Sequence, residues 1–224
     1  MQPVDPTRAG GGTRKLRPWF LVAALIVSWF VGAHGATSGC TTVAILREGV
    51  VPDRATLEQA IGGAPEPAQA VAVAHEAARL RAMAVRKETA FPLGVARLLL
   101  STALVVGSAM AIAGRPGARA FAMQAVVAYA AYAGVDYALS RPMRAEWIPE
   151  VAAAAAEIAA TAPAQAPFAD TRFWTWFERM RFGILELGTM ALAFAALAAP
   201  RSKAFFAAAA AEAATAPRDE DDEP

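Results

Sequence analysis

Residues 92–139 read PLGVARLLLSTALVVGSAMAIAGRPGARAFAMQAVVAYAAYAGVDYAL. Two apolar runs flank the link Gly114-Arg115-Pro116-Gly117-Ala118-Arg119, and their uncharged cores cover residues 98–114 and 120–135. A helix needs about 20 mainly apolar residues to cross the hydrocarbon of a bilayer. Each run reaches that length by admitting one charged residue, Arg97 or Asp136. Pro116 followed by Gly117 suits the two central positions of a type II turn, where glycine supplies the positive φ. So short a link, residues 114–119, predicts an antiparallel hairpin of two membrane helices within 92–139.

Two further stretches repeat the pattern outside the hairpin. Residues 18–46 contain no Asp, Glu, Lys or Arg, which predicts a first span over 18–39, and residues 187–200 are equally bare. A fourth span over 182–199 admits Glu186. The expected fold is therefore all-α, an integral membrane bundle of four transmembrane helices, or three if the first is a cleaved signal. The composition agrees, at 56% hydrophobic and 18% charged, where a soluble domain carries nearer a quarter charged residues. Scarce lysine beside abundant arginine and alanine fits a GC-rich bacterial genome.

The polar segments divide as 1–17, 47–90, 140–181 and 200–224. The first, with two prolines and a glycine triplet, reads as disordered and ends in Arg14, Lys15 and Arg17. That basic cluster before an apolar run puts the N-terminus, and after four spans the C-terminus, in the cytoplasm of a bacterial inner membrane. In 47–90, Asp53 caps a short helix stopped at Gly62-Gly63, and an Ala-rich helix from Pro67 runs towards the second span, broken or bent at Pro92. In 140–181, an Ala-rich helix near 145–161 precedes a Pro-containing break. Asp170 then caps a helix that carries Phe173, Trp174, Trp176 and Phe177 into the fourth span, the composition of an interfacial aromatic belt. Pro200 interrupts that span, and the last residues form an acidic tail.

No phosphate-binding glycine loop, nucleophile elbow or metal-spaced histidine or cysteine pair is present. His75 reads as an exposed helix residue, and His34 lies near the end of the first span. The net charge of +1 excludes the basic field of a nucleic-acid binder. No cofactor, metal site or catalytic set is expected, and an enzyme is the least favoured class. Expected partners are the lipid bilayer and other membrane proteins or a second copy.

The informative residues are the intramembrane charges Arg97, Asp136 and Glu186, each about five residues inside the same membrane face if the spans begin or end at Pro92, Arg141 and Arg181. Ionisable groups at such depth pair with one another or line a cavity. Arg97 and Ser101 share one helical face, Tyr132 and Asp136 another, and Arg179 and Glu186 a third. His34 falls in the same layer. One cation and two carboxylates leave excess negative charge, relieved either by protonation of one carboxyl or by Arg179. Cys40, after Thr37-Ser38-Gly39, resembles a bacterial lipobox and so admits lipidation as an alternative. The function expected first is a structural or accessory subunit of a membrane assembly. The alternative is an ion, proton or small-solute translocating component built on the Arg97/Asp136/Glu186 cluster.

Overall fold

The computed structural model describes residues 17–60 and 65–215. Arg14, Lys15, the Gly62-Gly63 stop and the acidic tail lie outside the described residues. The described chain is all-α, without a strand. Helix α1 spans Trp19–Glu48, α2 Arg54–Ala60, α3 Pro67–Val85, α4 Lys87–Ile112, α5 Ala118–Leu139 and α6 Arg141–Ala159. A 3-10 helix, Pro163–Ala169, leads to α7 (Thr171–Met180), a π-helix (Arg181–Gly188), α8 (Thr189–Ala198) and α9 (Pro200–Thr215).

Among the described residues, three helices are long and apolar enough to cross a membrane by length and composition: α1, α4 and the continuous rod Thr171–Ala198. The third apolar run forms α5, 22 residues long, but Gln124, Tyr129, Tyr132, Asp136 and Tyr137 make it less apolar than the others. It packs between α4 and α8 nonetheless.

Local rules explain most of the ends. Gly117 takes φ 75°, ψ −15°, the left-handed position of the turn between α4 and α5. The Thr56 amide donates to Asp53 Oδ1 at 2.8 Å, and the Arg172 amide to Asp170 Oδ1 at 2.8 Å, so both aspartates cap. Pro92 does not break the chain. The discontinuity lies at Arg86 (φ −104°, ψ 35°), and α4 runs through Pro92. Pro92 is the sixth residue of α4, and its missing N–H leaves the Glu88 carbonyl without its i+4 donor while the helix continues. Pro200 opens α9 rather than preceding it, because Ala199 turns extended at ψ 142°.

The long helices alternate in direction. Gly32, Gly35 and Gly39 of α1 lie against Ser101, then Leu98 and Gly94, of α4, an antiparallel register. A Cβ on Gly39 would sit 2.8 Å from the Leu98 nitrogen, so the two backbones are in contact. Such small-residue faces let helices approach where lipid gives no hydrophobic drive between them. Gly107 meets Ala122 across the α4–α5 pair, at 3.2 Å from a Cβ on the glycine. Arg119 Nε donates to the Leu197 carbonyl at 2.9 Å, setting α8 antiparallel to α5.

Two cores result. One, in the half of the bundle nearer the 114–117 turn, gathers Leu21, Leu25, Leu104, Val126, Tyr129, Met190 and Leu197. The other lies at the opposite end, where the two polar regions form a joint cap. Leu46, Val71, Ala78, Trp147, Val151, Ala155 and Trp174 pack there. Arg81–Glu150 (2.5 Å) and Arg86–Glu146 (2.6 Å) tie α3 to α6 along the rim. These pairs are half-exposed and contribute about 0–1 kcal/mol each, so the apolar contact holds the cap.

Candidate functional site

Between the cap and the first core lies a cavity of about 520 Å³. Helix α1 contributes His34, Thr37, Ser38, Thr41 and Thr42; α3 contributes His75, Glu76, Arg79 and Met83. Leu93, Gly94 and Arg97 come from α4, Tyr132 and Asp136 from α5, and Met143, Arg144 and Trp147 from α6. Phe177, Glu178 and Arg181 close the wall from the rod. Hydroxyls thus recur along one face of α1 at helical spacing.

The π-helix determines how the rod's charges meet. In an α-helix, residues five apart point about 140° away from each other at 3.6 residues per turn; a π-helix closes its turn over i to i+5. Arg181 and Glu186 therefore share a face, and Arg181 Nη1 donates to Glu186 Oε1 at 2.6 Å. Arg181 also donates from Nη2 to Glu178 Oε2 at 3.0 Å. Arg97 approaches the same Glu186 Oε1 at 3.7 Å from Nη2, and its buried Nε has no hydrogen-bond partner among the described residues. One guanidinium from α4 and one from the rod are thus linked through Glu186.

Three sequence expectations change here. First, the charges do not lie in one layer. Gly107 lies opposite Ala122, and counting equal rise along the two helices from there puts Arg97 level with Tyr132 and Asp136 level with Leu93. Asp136 is thus four residues, about 6 Å, nearer the cap than Arg97. It lines the cavity but makes no ion pair within 4.0 Å among the described residues. Second, Arg179 is exposed and outside the cavity wall; Arg181 takes the balancing role, because the π-turn rotates it inward. Third, the wall is not negative. Arg79, Arg97, Arg144 and Arg181 offset Glu76, Asp136 and Glu178 with Glu186 behind them, so these eight side chains sum to zero.

The remaining predicted residues fall as follows. Tyr132 Oη donates to the Leu93 carbonyl at 3.0 Å. Ser101 is fully buried beneath the cavity against Gly35, its hydroxyl unpartnered among the described residues. His34 lines the cavity. Cys40 is exposed on the unbroken α1 helix.

His75 is not an exposed helix residue. Its ring stacks on Trp174 (5.0 Å between centroids, 7° between planes) and meets Trp147 edge-on at 4.8 Å. Its Nε2 is buried at the cavity wall without a partner among the described residues. Burial pulls the imidazole pKa below the ordinary histidine range; Arg79 and Arg181 push the same way, and Glu76 and Glu178 oppose them. Burial works against the Glu76 carboxylate, but the Arg79 guanidinium bonded to it outweighs that and holds its pKa below the usual range. Trp174 is itself fixed, its Nε1 donating to the Phe168 carbonyl at 2.7 Å.

Arg144 completes the mouth. It donates to Ser140 Oγ at 2.5 Å and to the Tyr137 carbonyl, and lies 4.0 Å over the Tyr137 ring. Tyr137 stacks on Phe182 at 4.2 Å, holding α5 against the π-helix. Chemically the chamber offers charge of both signs, hydroxyl donors and an aromatic wall. Among the described residues it has no group of three His, Cys, Asp or Glu side chains placed to hold a metal ion. Comparison of the chain with known protein families, curated proteins and solved structures finds no match.

Proposed function

We propose that this protein is a four-span bacterial inner-membrane protein whose capped chamber binds a small polar solute, as a translocating component or its binding element. One observation carries the reading: seven charged side chains from five helical elements, with Glu186 behind them, surround open space instead of filling it. Charges retained only to fix helix register pack tightly against their partners, since each unpaired polar atom away from water costs free energy. Here Arg97 Nε and His75 Nε2 stay unpartnered beside a 520 Å³ cavity, a size that suits a small-molecule site. In this reading α5 is the third span, and α1 is retained, because Leu21, Ala24 and Leu25 belong to the first core. The basic residues before α1 place the N-terminus in the cytoplasm and the cap outside it.

The test is a solute panel of amino acids, sugars, nucleosides, carboxylates and amines, screened against the protein in nanodiscs by thermal stabilisation. At least one class raises the melting temperature, and Arg97→Gln abolishes the rise. No stabilisation by any class overturns the reading. A structural subunit is the second reading, favoured by exposed Trp176, Ile184 and Leu185 on the rod. A stoichiometric partner retained in mild detergent supports it.

A further inference from the structure

We propose that the chamber's ligand is a zwitterion, a small molecule with one ammonium and one carboxylate group and an apolar remainder. This inference rests on the solute-binding reading and names its substrate class. Most of the chamber's charge is already committed: Glu76 to Arg79, and Glu178 and Glu186 to Arg181. Arg144 directs its donors to Ser140 and the Tyr137 carbonyl.

Two poles remain. Asp136 presents a carboxylate with no cation within 4.0 Å among the described residues. Arg97 presents an unpartnered Nε, and its one carboxylate contact, at 3.7 Å, is to an oxygen that Arg181 already holds at 2.6 Å. The poles lie on neighbouring antiparallel helices and are staggered along the axis by about 6 Å. A ligand whose charges lie about 3 Å apart, with a hydrogen bond of about 2.8 Å at each end, spans about 9 Å, enough to cover that axial stagger.

Charge balance selects the same class. Because the charges of the wall and Glu186 behind it together sum to zero, a ligand of net charge would stand uncompensated, at a large cost in solvation. A zwitterion adds none. Its apolar part has Met83, Met143, Trp147 and Phe177 to lie against.

The probes are L-leucine, 4-methylpentanoate and 3-methylbutylamine, titrated against the protein in nanodiscs by isothermal calorimetry. Leucine is expected to bind about tenfold to a hundredfold tighter than either singly charged analogue, the worth of one charge-assisted hydrogen bond. Asp136→Asn removes the preference for leucine over 4-methylpentanoate, and Asp136→Glu retains it. Because preference is a ratio of affinities on one variant, it is read wherever that variant binds either probe. If Asp136→Asn does not fold, the Asp136→Glu ratio and the wild-type ratio carry the test. Equal affinity for leucine and 4-methylpentanoate overturns the zwitterion and leaves a solute site for anions. Binding of none of the three probes also overturns it, and the broader solute panel then reports separately on whether any solute binds.

Discussion

Gly39 makes the closest backbone approach to α4 of the three α1 glycines, and its replacement tests whether the first helix belongs to the bundle. In Gly39→Ala the added Cβ would stand 2.8 Å from Leu98 N, 3.0 Å from Leu98 Cα and 3.1 Å from the Gly94 carbonyl. Ordinary van der Waals contact begins at 3.4 Å, so the helices must separate by about 0.6 Å. No side chain can turn away to relieve a clash with backbone. Overpacking of this kind costs about 1–3 kcal/mol, and for a chain of this size each kcal/mol moves the melting temperature by about 2–4 °C. The expected loss is about 2–12 °C in nanodiscs. Gly35→Ala supplies the contrast, because its Cβ meets the Ser101 Oγ, a side-chain atom. Ser101→Gly should therefore restore most of the stability of Gly35→Ala and none of that of Gly39→Ala. Unchanged melting of Gly39→Ala would refute the packing argument. It would also revive a mature chain that begins at Cys40.

Other outcomes follow from the cap and the ion cluster. Glu186→Gln leaves Arg97 without its carboxylate and Arg181 with Glu178 alone, and should cost about 3–5 kcal/mol in unfolding experiments, while Arg97→Gln added to it should cost less than the two single losses summed. Strict additivity would show that Arg97 and Glu186 do not interact. His75, with its pKa depressed by burial, stays neutral in the folded state while the unfolded chain takes up a proton below about pH 6.5. Stability is then full above that pH and declines as the pH falls towards the folded pKa; His75→Phe should remove that part of the pH dependence, read from melting curves between pH 5 and 8. Trp174→Phe deletes the donor to the Phe168 carbonyl and should cost about 1–3 kcal/mol, with loss of near-ultraviolet circular dichroism from the cap. An unaltered spectrum would contradict the stacked His75–Trp174 arrangement.

The all-α class and the hairpin were legible because apolar run length and the Pro116-Gly117 turn are local signals. The caps at Asp53 and Asp170 were equally local. The candidate site was only partly legible. Arg97, Asp136, Glu186, His34 and Tyr132 stood out as polar groups in apolar surroundings. The residue that organises them, Arg181, did not, because a wheel of 3.6 residues per turn sends it away from Glu186. Only the π-turn unites them, and no single residue type announces one. His75 looked exposed because its environment comes from Trp147 and Trp174, far along the chain on two other helices. The Gly32–Gly35–Gly39 face carries small residues at helical spacing, but so does the Ala103–Gly107–Ala111 row, whose Gly107 packs on α5, so spacing alone did not mark the α1–α4 contact.

Cysteine accessibility in sealed vesicles tests the membrane-embedded, water-filled chamber most directly. In a Cys40→Ser background, Ser38→Cys lies on the chamber wall, whereas Leu99→Cys replaces a side chain 63% exposed on the outer face of α4. A hydrophilic, membrane-impermeant thiol reagent should label Ser38→Cys rapidly from the capped side and leave Leu99→Cys unlabelled, because lipid covers the outer face. Labelling of Leu99→Cys as fast as Ser38→Cys would contradict the bilayer, and an inert Ser38→Cys would contradict the chamber.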